Sequence, residues 1–516
     1  MADIKIRADT FFQRIERLQT HLQEHKSSTW GGADSITATL GTADNDSVYS
    51  KTASLHLYLF GYEFPDSIIV ITKGHFYFFA TAKKCSYLQK DLLPSQAGQA
   101  TQLHFLEKTK DEGQNREHFH DLLNAIRKAS SASKKVAHLV KEKMKGEFVN
   151  AWLGMVTQAA DLEVVDAASA FGGFFAVKEE AEVELCKRAA ILTNKVMKHG
   201  FVSEMEDVLD SGKKITHEQL AAGIEDTIND APNKLQLKIA QDAIDVCFSP
   251  IVQSGGKYDI KISAQSNSDK LSSDVIICSL GARYKGYCAN VSRTYMVDVP
   301  PKIEKTYSTL LAVFNHCLEK MVPGNSLKDV IMSARSFLTK KDSTLVPYLS
   351  KTLGFCMGLE FRDNTLVLNE KSEAKFADGM IFTLSVGLAA VPLEADEKKG
   401  AQGDSAKLST FSLLVADTVR VQRDGSADVL TKCAKEFADV SYNIGGDDDD
   451  KMDDDEEEDK KKPDANLSVG RAKRNADVKQ AAEQSSAQRQ QQQAGMSFHV
   501  NFSMPVNGRI YRNDKS

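Results

Sequence analysis

Apolar side chains recur along this chain with two periods. Phe11, Ile15, Leu18 and Leu22 follow the i, i+4, i+7, i+11 spacing that puts one stripe on a helix, and Asp9 is expected to cap it. Within residues 55–85 the period changes. Ser67–Ile71 and His75–Ala80 are β-branched and aromatic runs on either side of Lys73-Gly74, which predicts a hairpin. Phe119, Leu122, Leu123 and Ile126 return to the helical period, and Val136–Val140 reads as a strand or a helix edge. From Val177, the stretch VKEEAEVELCKRAAILTNKVM holds no Gly or Pro and predicts a long helix.

The second half alternates in the same way. FSPIVQSGG (248–256) follows a further helix and ends in a turn. Val275–Tyr295 predicts two strands meeting at a tight turn, with a break at Gly281. Pro300-Pro301 interrupts the chain before a helix with Ile303, Tyr307, Leu310, Phe314 and Leu318 inward. Pro323-Gly324 ends that helix and Ser326 caps the next. Residues 353–432 are rich in strand formers. After Gly445-Gly446 the pattern stops. An acid-rich, low-complexity linker covers 446–495, and such a like-charge block is expected to be disordered. Phe498, Val500, Phe502 and Met504 alternate like the start of another domain within 496–516. The expected organisation is an α/β lobe over 1–175, a second lobe over 176–445, the linker, and that final segment.

Composition narrows the function classes. At 26% charged and 42% hydrophobic, 516 residues suffice for two or three full cores. No run approaches the ~18 consecutive apolar residues of a membrane span, so no membrane is expected. The net charge is −6, and residues 447–462 alone carry −7, so the rest is nearly neutral and offers no bulk attraction for DNA. The eight cysteines are scattered with no C-x-x-C pair, which points to buried free thiols in a reducing compartment.

Four motifs carry candidate chemistry. They are the hairpin with Gly281, Gly286-Tyr287 and Ser292-Arg293-Thr294; Gly354-Phe355-Cys356-Met357-Gly358-Leu359-Glu360; Gly379-Met380-Ile381-Phe382-Thr383-Leu384-Ser385-Val386-Gly387; and Val415-Ala416-Asp417-Thr418-Val419. In this order they resemble the metal-site motifs of the methionine aminopeptidase, prolidase and creatinase family. The resemblance implies an α/β (α+β) fold of two lobes, an N-terminal creatinase or aminopeptidase P-like lobe and a C-terminal pita-bread lobe. In that family Asp, Asp, His, Glu and Glu hold two metal ions. The matching places here are Ser279, Asn290, Phe355, Ser385 and Ala416. A two-metal hydrolase needs anionic ligands to bring a bridging water to ionise near neutral pH. Phe355 and Ala416 offer no donor atom, and Ser279, Asn290 and Ser385 are neutral. Asp417 adjoins Ala416, but successive strand residues face opposite ways. No histidine lies between His217 and His316, so the proton-shuttling position is empty too. The reading is therefore not an enzyme, with no metal, no cofactor and no catalytic residue. Arg293 is assigned to the fold, and Gly286, Gly358 and Gly387 to backbone conformations that only glycine adopts cheaply.

One family keeps this fold without the ligands. YLFGYEFPD (58–66), Gly172-Gly173-Phe174-Phe175 before the Val-Lys-Glu-Glu helix, GYCANVSRTY (286–295) and the acidic segment resemble the large subunit of the FACT histone chaperone, over residues 5–445. The resemblance implies a protein of the nucleus and chromosome that binds core histones and nucleosomes during transcription, replication and DNA repair. It also implies a smaller HMG-type FACT subunit as partner, with replication and transcription proteins as further contacts. That family's chains continue well past 516 residues, so contact with the smaller subunit is expected outside this sequence.

Two surfaces are candidates for histone contact. One is the acidic run Asp447, Asp448, Asp449, Asp450, Asp453, Asp454, Asp455, Glu456, Glu457, Glu458 and Asp459, a polyanion suited to lysine-rich partners. The other is His118, Phe119 and His120 with the lysines of 134–145. The rival classes are an active metal-dependent aminopeptidase or prolidase, separable by bound metal and turnover of Xaa-Pro peptides, and a pure scaffold for other chromatin proteins.

Overall fold

The structure is a computed structural model, and it describes residues 5–42, 49–130, 134–425 and 427–444. The acidic run, the low-complexity segment and the alternating residues 498–504 lie outside these.

The first part of the chain builds a six-stranded sheet. Its elements are α1 (Ala8–Glu24), β1 (Ser35–Leu40), α2 (Lys51–Phe60), β2 (Ser67–Thr72), β3 (His75–Thr81), α3 (Ala82–Leu92), β4 (Gln102–Lys108), α4 (Glu112–Ala129), β5 (Lys135–His138), α5 (Glu147–Gln158), β6 (Glu163–Asp166) and α6 (Ala168–Ala176). The strand order is β4-β3-β2-β1-β5-β6. The β2–β3 hairpin turns at Lys73-Gly74 as its alternation predicts, while β4, β5 and β6 join in parallel across helical crossovers. The Phe11, Ile15, Leu18 and Leu22 stripe is buried. Asp9 does not cap α1. Arg7 is the N-cap, and Asp9 sits in the first turn, where its charge still complements the helix dipole. Val136–Val140 resolves into a strand that ends at His138.

The second part runs α7 (Glu180–Val196), a π-helical turn (Met197–Val202), α8 (Ser203–Ser211), α9 (His217–Asn229), α10 (Ala231–Lys234), β7 (Ile244–Val246), β8 (Ile251–Gln253), β9 (Val275–Tyr284), β10 (Tyr287–Val297), α11 (Pro301–Lys320), α12 (Leu327–Asp342), β11 (Gly354–Cys356), β12 (Ile381–Pro392), β13 (Thr410–Arg420), β14 (Asp428–Val429), α13 (Phe437–Val440) and β15 (Ser441–Tyr442). The sheet order is β11-β12-β13-β10-β9-β7, with β8 beside β9, β14 beside β13 and β15 beside β10. Gly281 does not break its strand; β9 continues through it to a turn at Lys285-Gly286. Gly286 has φ +85°, which that turn requires and a side chain would strain. Gly281 serves a different end: a Cβ there would stand 2.7 Å from the Ala289 carbonyl oxygen across the pair. Ahead of α12, the Asp329 carboxylate accepts the Ser326 N–H at 3.0 Å, so the predicted cap position holds.

The long strands β9 and β10 are buried along their whole length, which is why they read as near-continuous apolar runs rather than alternating ones. One core lies between this sheet and α11 and α12, through Tyr307, Leu310, Phe314, Val330 and Ala334. A second core is shared by both sheets: Phe11, Tyr58 and Phe171 belong to the same cluster as Tyr287, Cys288, Phe355 and Ile381. Polar contacts reinforce that junction. Tyr287 donates to Glu182 at 2.8 Å, and Glu179 accepts from both Arg14 and Arg17. A third cluster, under α4 and α5, covers the other face of the first sheet. Seven of the eight free cysteines are buried, as their apolar settings predict.

Candidate functional site

Register places the candidate residues. Ser279 on β9 pairs with Ser292 on β10, Ser292 pairs with Ala416 on β13, and Ala416 pairs with Ser385 on β12. These four form one row across four strands. Asn290 lies two residues before Ser292 and Thr383 two before Ser385, so strand alternation turns both to the same face. Phe355 on β11 pairs with Thr383 and completes the patch. All five sequence-predicted positions therefore converge. Ser279, Asn290, Phe355 and Ser385 line a cavity of about 40 Å³, with Ser292, Thr383, Ile251, Ile277 and Leu414. Ala416 is buried in the row beneath it.

The lining is neutral at its centre. Asp259 and Lys261 reach the rim, but both are exposed, and Asp259 Oδ1 accepts the Lys261 N–H at 3.1 Å. Thr418 Oγ1 accepts the Asn290 N–H at 2.9 Å and donates to the Asn290 carbonyl at 3.0 Å, holding that backbone from the neighbouring strand. The Asn290 Oδ1 and Thr383 Oγ1 atoms are buried and unpartnered among the described residues. Phe355 is 6% exposed and packs edge-on to Phe361, which stacks on Phe248, while the Arg362 guanidinium lies 5.4 Å from the Phe355 ring centre. The Phe355 ring thus lines the cavity, with Phe361 packed behind it.

The carboxylates near this cavity are engaged elsewhere. Asp417 projects from the opposite face of β13. Its Oδ1 accepts from Arg293 Nη2 and Thr431 Oγ1, each at 2.8 Å, and its Oδ2 accepts from Lys435 Nζ at 2.8 Å. Arg293 also donates to the carbonyls of Ser292, Ala416, Cys433 and Ala434, a role that belongs to the fold. Glu360 and Asp363 both meet Lys51 of α2, at 2.9 and 2.7 Å. Burial raises the Glu360 carboxyl above its ordinary value. Asp363 is also desolvated, but Lys51 and the hydrogen bonds from Thr365 hold it below.

The second candidate surface divides. Phe119 is buried in the cluster under α4, because its helical register matches Leu122, Leu123 and Ile126. It is not an exposed recognition residue. His118 is half-buried against the Phe79 ring, and His120 is exposed. Lys135 pairs with Glu163 at 2.9 Å. Sequence reasoning missed Ser292, Thr383 and the residues that cover the cavity, although a period of two from Asn290 and Ser385 points to the first two. It also assigned Gly358 and Gly387 to backbone conformation. Neither has a positive φ; both are limited by space, Gly358 by Lys178 and Gly387 by Ile260 and Leu414.

Comparison with known proteins matches residues 6–170 to the FACT complex subunit SPT16 N-terminal lobe domain and residues 184–423 to metallopeptidase family M24. The chain is 34% identical over 448 residues to a FACT complex subunit SPT16 from Zea mays, covering 86% of this chain and 41% of that protein. The chain thus spans about two fifths of the curated relatives it matches. The N-terminal domain of FACT complex subunit SPT16 from Cicer arietinum superposes with a TM-score of 0.76 at 33% identity, covering 85% of this chain and all of that one. An X-Pro aminopeptidase from Thermotoga maritima shares the fold at a TM-score of 0.57 and 16% identity, over 84% of this chain and all of that one.

Proposed function

Because the chain belongs to the FACT complex subunit SPT16 family, we propose that it is the N-terminal part of a histone chaperone subunit, a peptidase fold that binds chain segments and cleaves none. The observation that carries this reading is the neutral row Ser279, Ser292, Ala416 and Ser385, with Asn290 and Phe355 beside it. The peptidase fold implies two divalent cations at this patch. The donors available at the five matching places are hydroxyls and one amide, and Phe355 and Ala416 offer none. Hard cations take carboxylate and carbonyl oxygens, and two of them in a buried site without compensating anions carry a desolvation cost of several kcal/mol or more. The donor set does not fit the metals, and no hydrolytic step is derived through them.

What the fold retains is a recessed surface of strands with hydroxyl and aliphatic lining, suited to an extended peptide. In this reading the partners are core histones and nucleosomes, the setting is the nucleus and chromosome, and the run Asp447–Asp459 adds a salt-sensitive attraction for lysine-rich partners. The smaller HMG-type subunit makes its contact outside this chain. The test is retention of purified core histones by the immobilised full chain at moderate salt, beside an assay of Xaa-Pro peptides with added manganese or cobalt. Histone retention without turnover is expected. Absence of retention removes histone binding, and turnover with stoichiometric metal overturns the loss of catalysis.

A further inference from the structure

The cavity already has an occupant, and it is part of the same chain. Residues 254–274 join β8 to β9 with no helix or strand of their own. A segment longer than about 12–15 residues without regular structure is uncommon in a compact fold and is often a lid or binding loop. Its first limb is held in the cleft by three kinds of contact. Gln253, the last residue of β8, donates from Nε2 to the Asp259 carbonyl at 3.1 Å and accepts the Asp259 N–H on Oε1 at 3.0 Å. One side-chain amide thereby makes the pair of bonds that a neighbouring strand makes with an added peptide. Ile260 enters the cavity, and its Cδ1 lies 2.7 Å from where a Cβ on residue 387 would stand, space that only Gly387 leaves open. On either side, Tyr258 packs on the helix-side core and donates to the Val275 carbonyl at 2.7 Å, and Ile262 packs on the core shared by the two sheets. Lys257, Asp259 and Lys261 between them are exposed.

The return limb is pinned separately. His217 at the start of α9 is buried and links both ends of the segment, Nδ1 to Asn267 Oδ1 and Nε2 to Ser254 Oγ, each at 2.7 Å. The Glu218 and Leu271 N–H groups bond to the Asn267 and Ile215 carbonyls. The first limb can therefore leave the cleft while the second stays in place. The limb also fills the cavity incompletely, since the Asn290 Oδ1 and Thr383 Oγ1 atoms that line it are buried without partners among the described residues.

We infer that residues 257–262 are a built-in ligand of this cleft, a stopper that an incoming extended peptide must displace. The peptide that fits carries a branched aliphatic side chain over Gly387 and leaves its alternate side chains in solvent, as Asp259 and Lys261 do. This deepens, and rests on, the reading of the cleft as a peptide-binding surface.

The test compares the full chain with Gln253→Ala and Ile260→Ser variants, neither of which touches the Arg293 or Lys51 networks. Trypsin cleavage at Lys257 and Lys261 is expected to quicken about tenfold or more in both, the scale of one or two lost hydrogen bonds or a lost aliphatic anchor. A labelled synthetic peptide of residues 257–265 is expected to bind the Ile260→Ser variant, whose Gln253 clasp is intact, about tenfold or more tighter than the unaltered chain. Unfolding midpoints within a few degrees of the unaltered chain identify release rather than misfolding; a Gln253→Glu variant, which keeps the acceptor and loses the donor, should fall between. Cleavage rates equal to those of the unaltered chain overturn the stopper. Faster cleavage without gain in peptide binding overturns the cleft as a peptide surface while leaving the release intact. Histone retention is read separately, so its failure is not confused with either.

Discussion

The two faces of β13 handle buried polarity in opposite ways. On one face Asp417, 0% exposed, is met by Arg293, Thr431 and Lys435, so a full charge is buried with its counter-charge and its hydrogen bonds satisfied. On the other, one residue earlier, Ala416 joins a row of serines that bears no charge, and two polar atoms nearby have no partner among the described residues. Side chains one position apart on a strand live in separate environments. Charge is present where it ties the 430–435 segment to the sheet and missing where it would need a cation. The comparison teaches that this fold holds its buried charge where the sheet itself satisfies it, and closes around a neutral row on the other face.

The largest expected effect breaks the charged face. Asp417→Asn leaves the Arg293 guanidinium buried beside a neutral amide and should cost about 3–5 kcal/mol in denaturant unfolding. A loss below about 1 kcal/mol would mean that the network is not what holds this face together.

Next in size is the junction between the sheets. Asp363→Asn should cost about 1.5–3 kcal/mol, the range of a hydrogen bond to a charged group, and more than Glu360→Gln at neutral pH. The reason is that Asp363 is held below its ordinary value whereas burial pushes Glu360 above. A carboxyl depressed in the folded state contributes stability that is present above its unfolded value, about pH 4, and is lost as pH falls through its lower folded value. The difference between the unaltered chain and Asp363→Asn should therefore shrink as pH drops below about 4. Equal costs for the two substitutions, or a difference independent of pH in that window, would contradict the assignment.

The neutral face sharpens the contrast. Asn290→Asp puts a carboxylate into the cavity without a counter-charge and should destabilise by about 1–3 kcal/mol at neutral pH, relieved on acidification as the buried acid takes up its proton. Ser385→Ala, at the β12 end of the row, should change stability by only about 0.5 kcal/mol. If Asn290→Asp is neutral at pH 7 and its melting temperature rises with added manganese, the face still accommodates a cation.

Much of the fold was legible because local patterns agreed with the global arrangement. The Phe11–Leu22 stripe, the hairpin at Lys73-Gly74 and the Ser326 cap position follow from spacing and turn chemistry. So does the convergence of Ser279, Asn290, Phe355, Ser385 and Ala416, since each sits inside a motif whose strand and turn residues are intact. The misreadings came from contacts distant in sequence. Gly281 looked like a break because nothing local shows that Ala289 approaches it. Asp9 looked like a cap because the true start two residues upstream, at Arg7, has no sequence mark. Phe119 looked exposed because two histidines flank it.

From the order of residues alone came the Phe11–Leu22 helix, the helix after Val177, the hairpins at Lys73-Gly74 and in 275–295, and the neutral side chains at Ser279, Asn290, Phe355, Ser385 and Ala416, since each depends on neighbours within a few residues. Only the assembled structure decided that Gln253 clasps Asp259, that Ile260 fills the space over Gly387, and that Lys51 meets both Glu360 and Asp363. Those contacts depend on where separate strands and loops come to rest. No rule of spacing encodes that position; it emerges only when the whole core is packed.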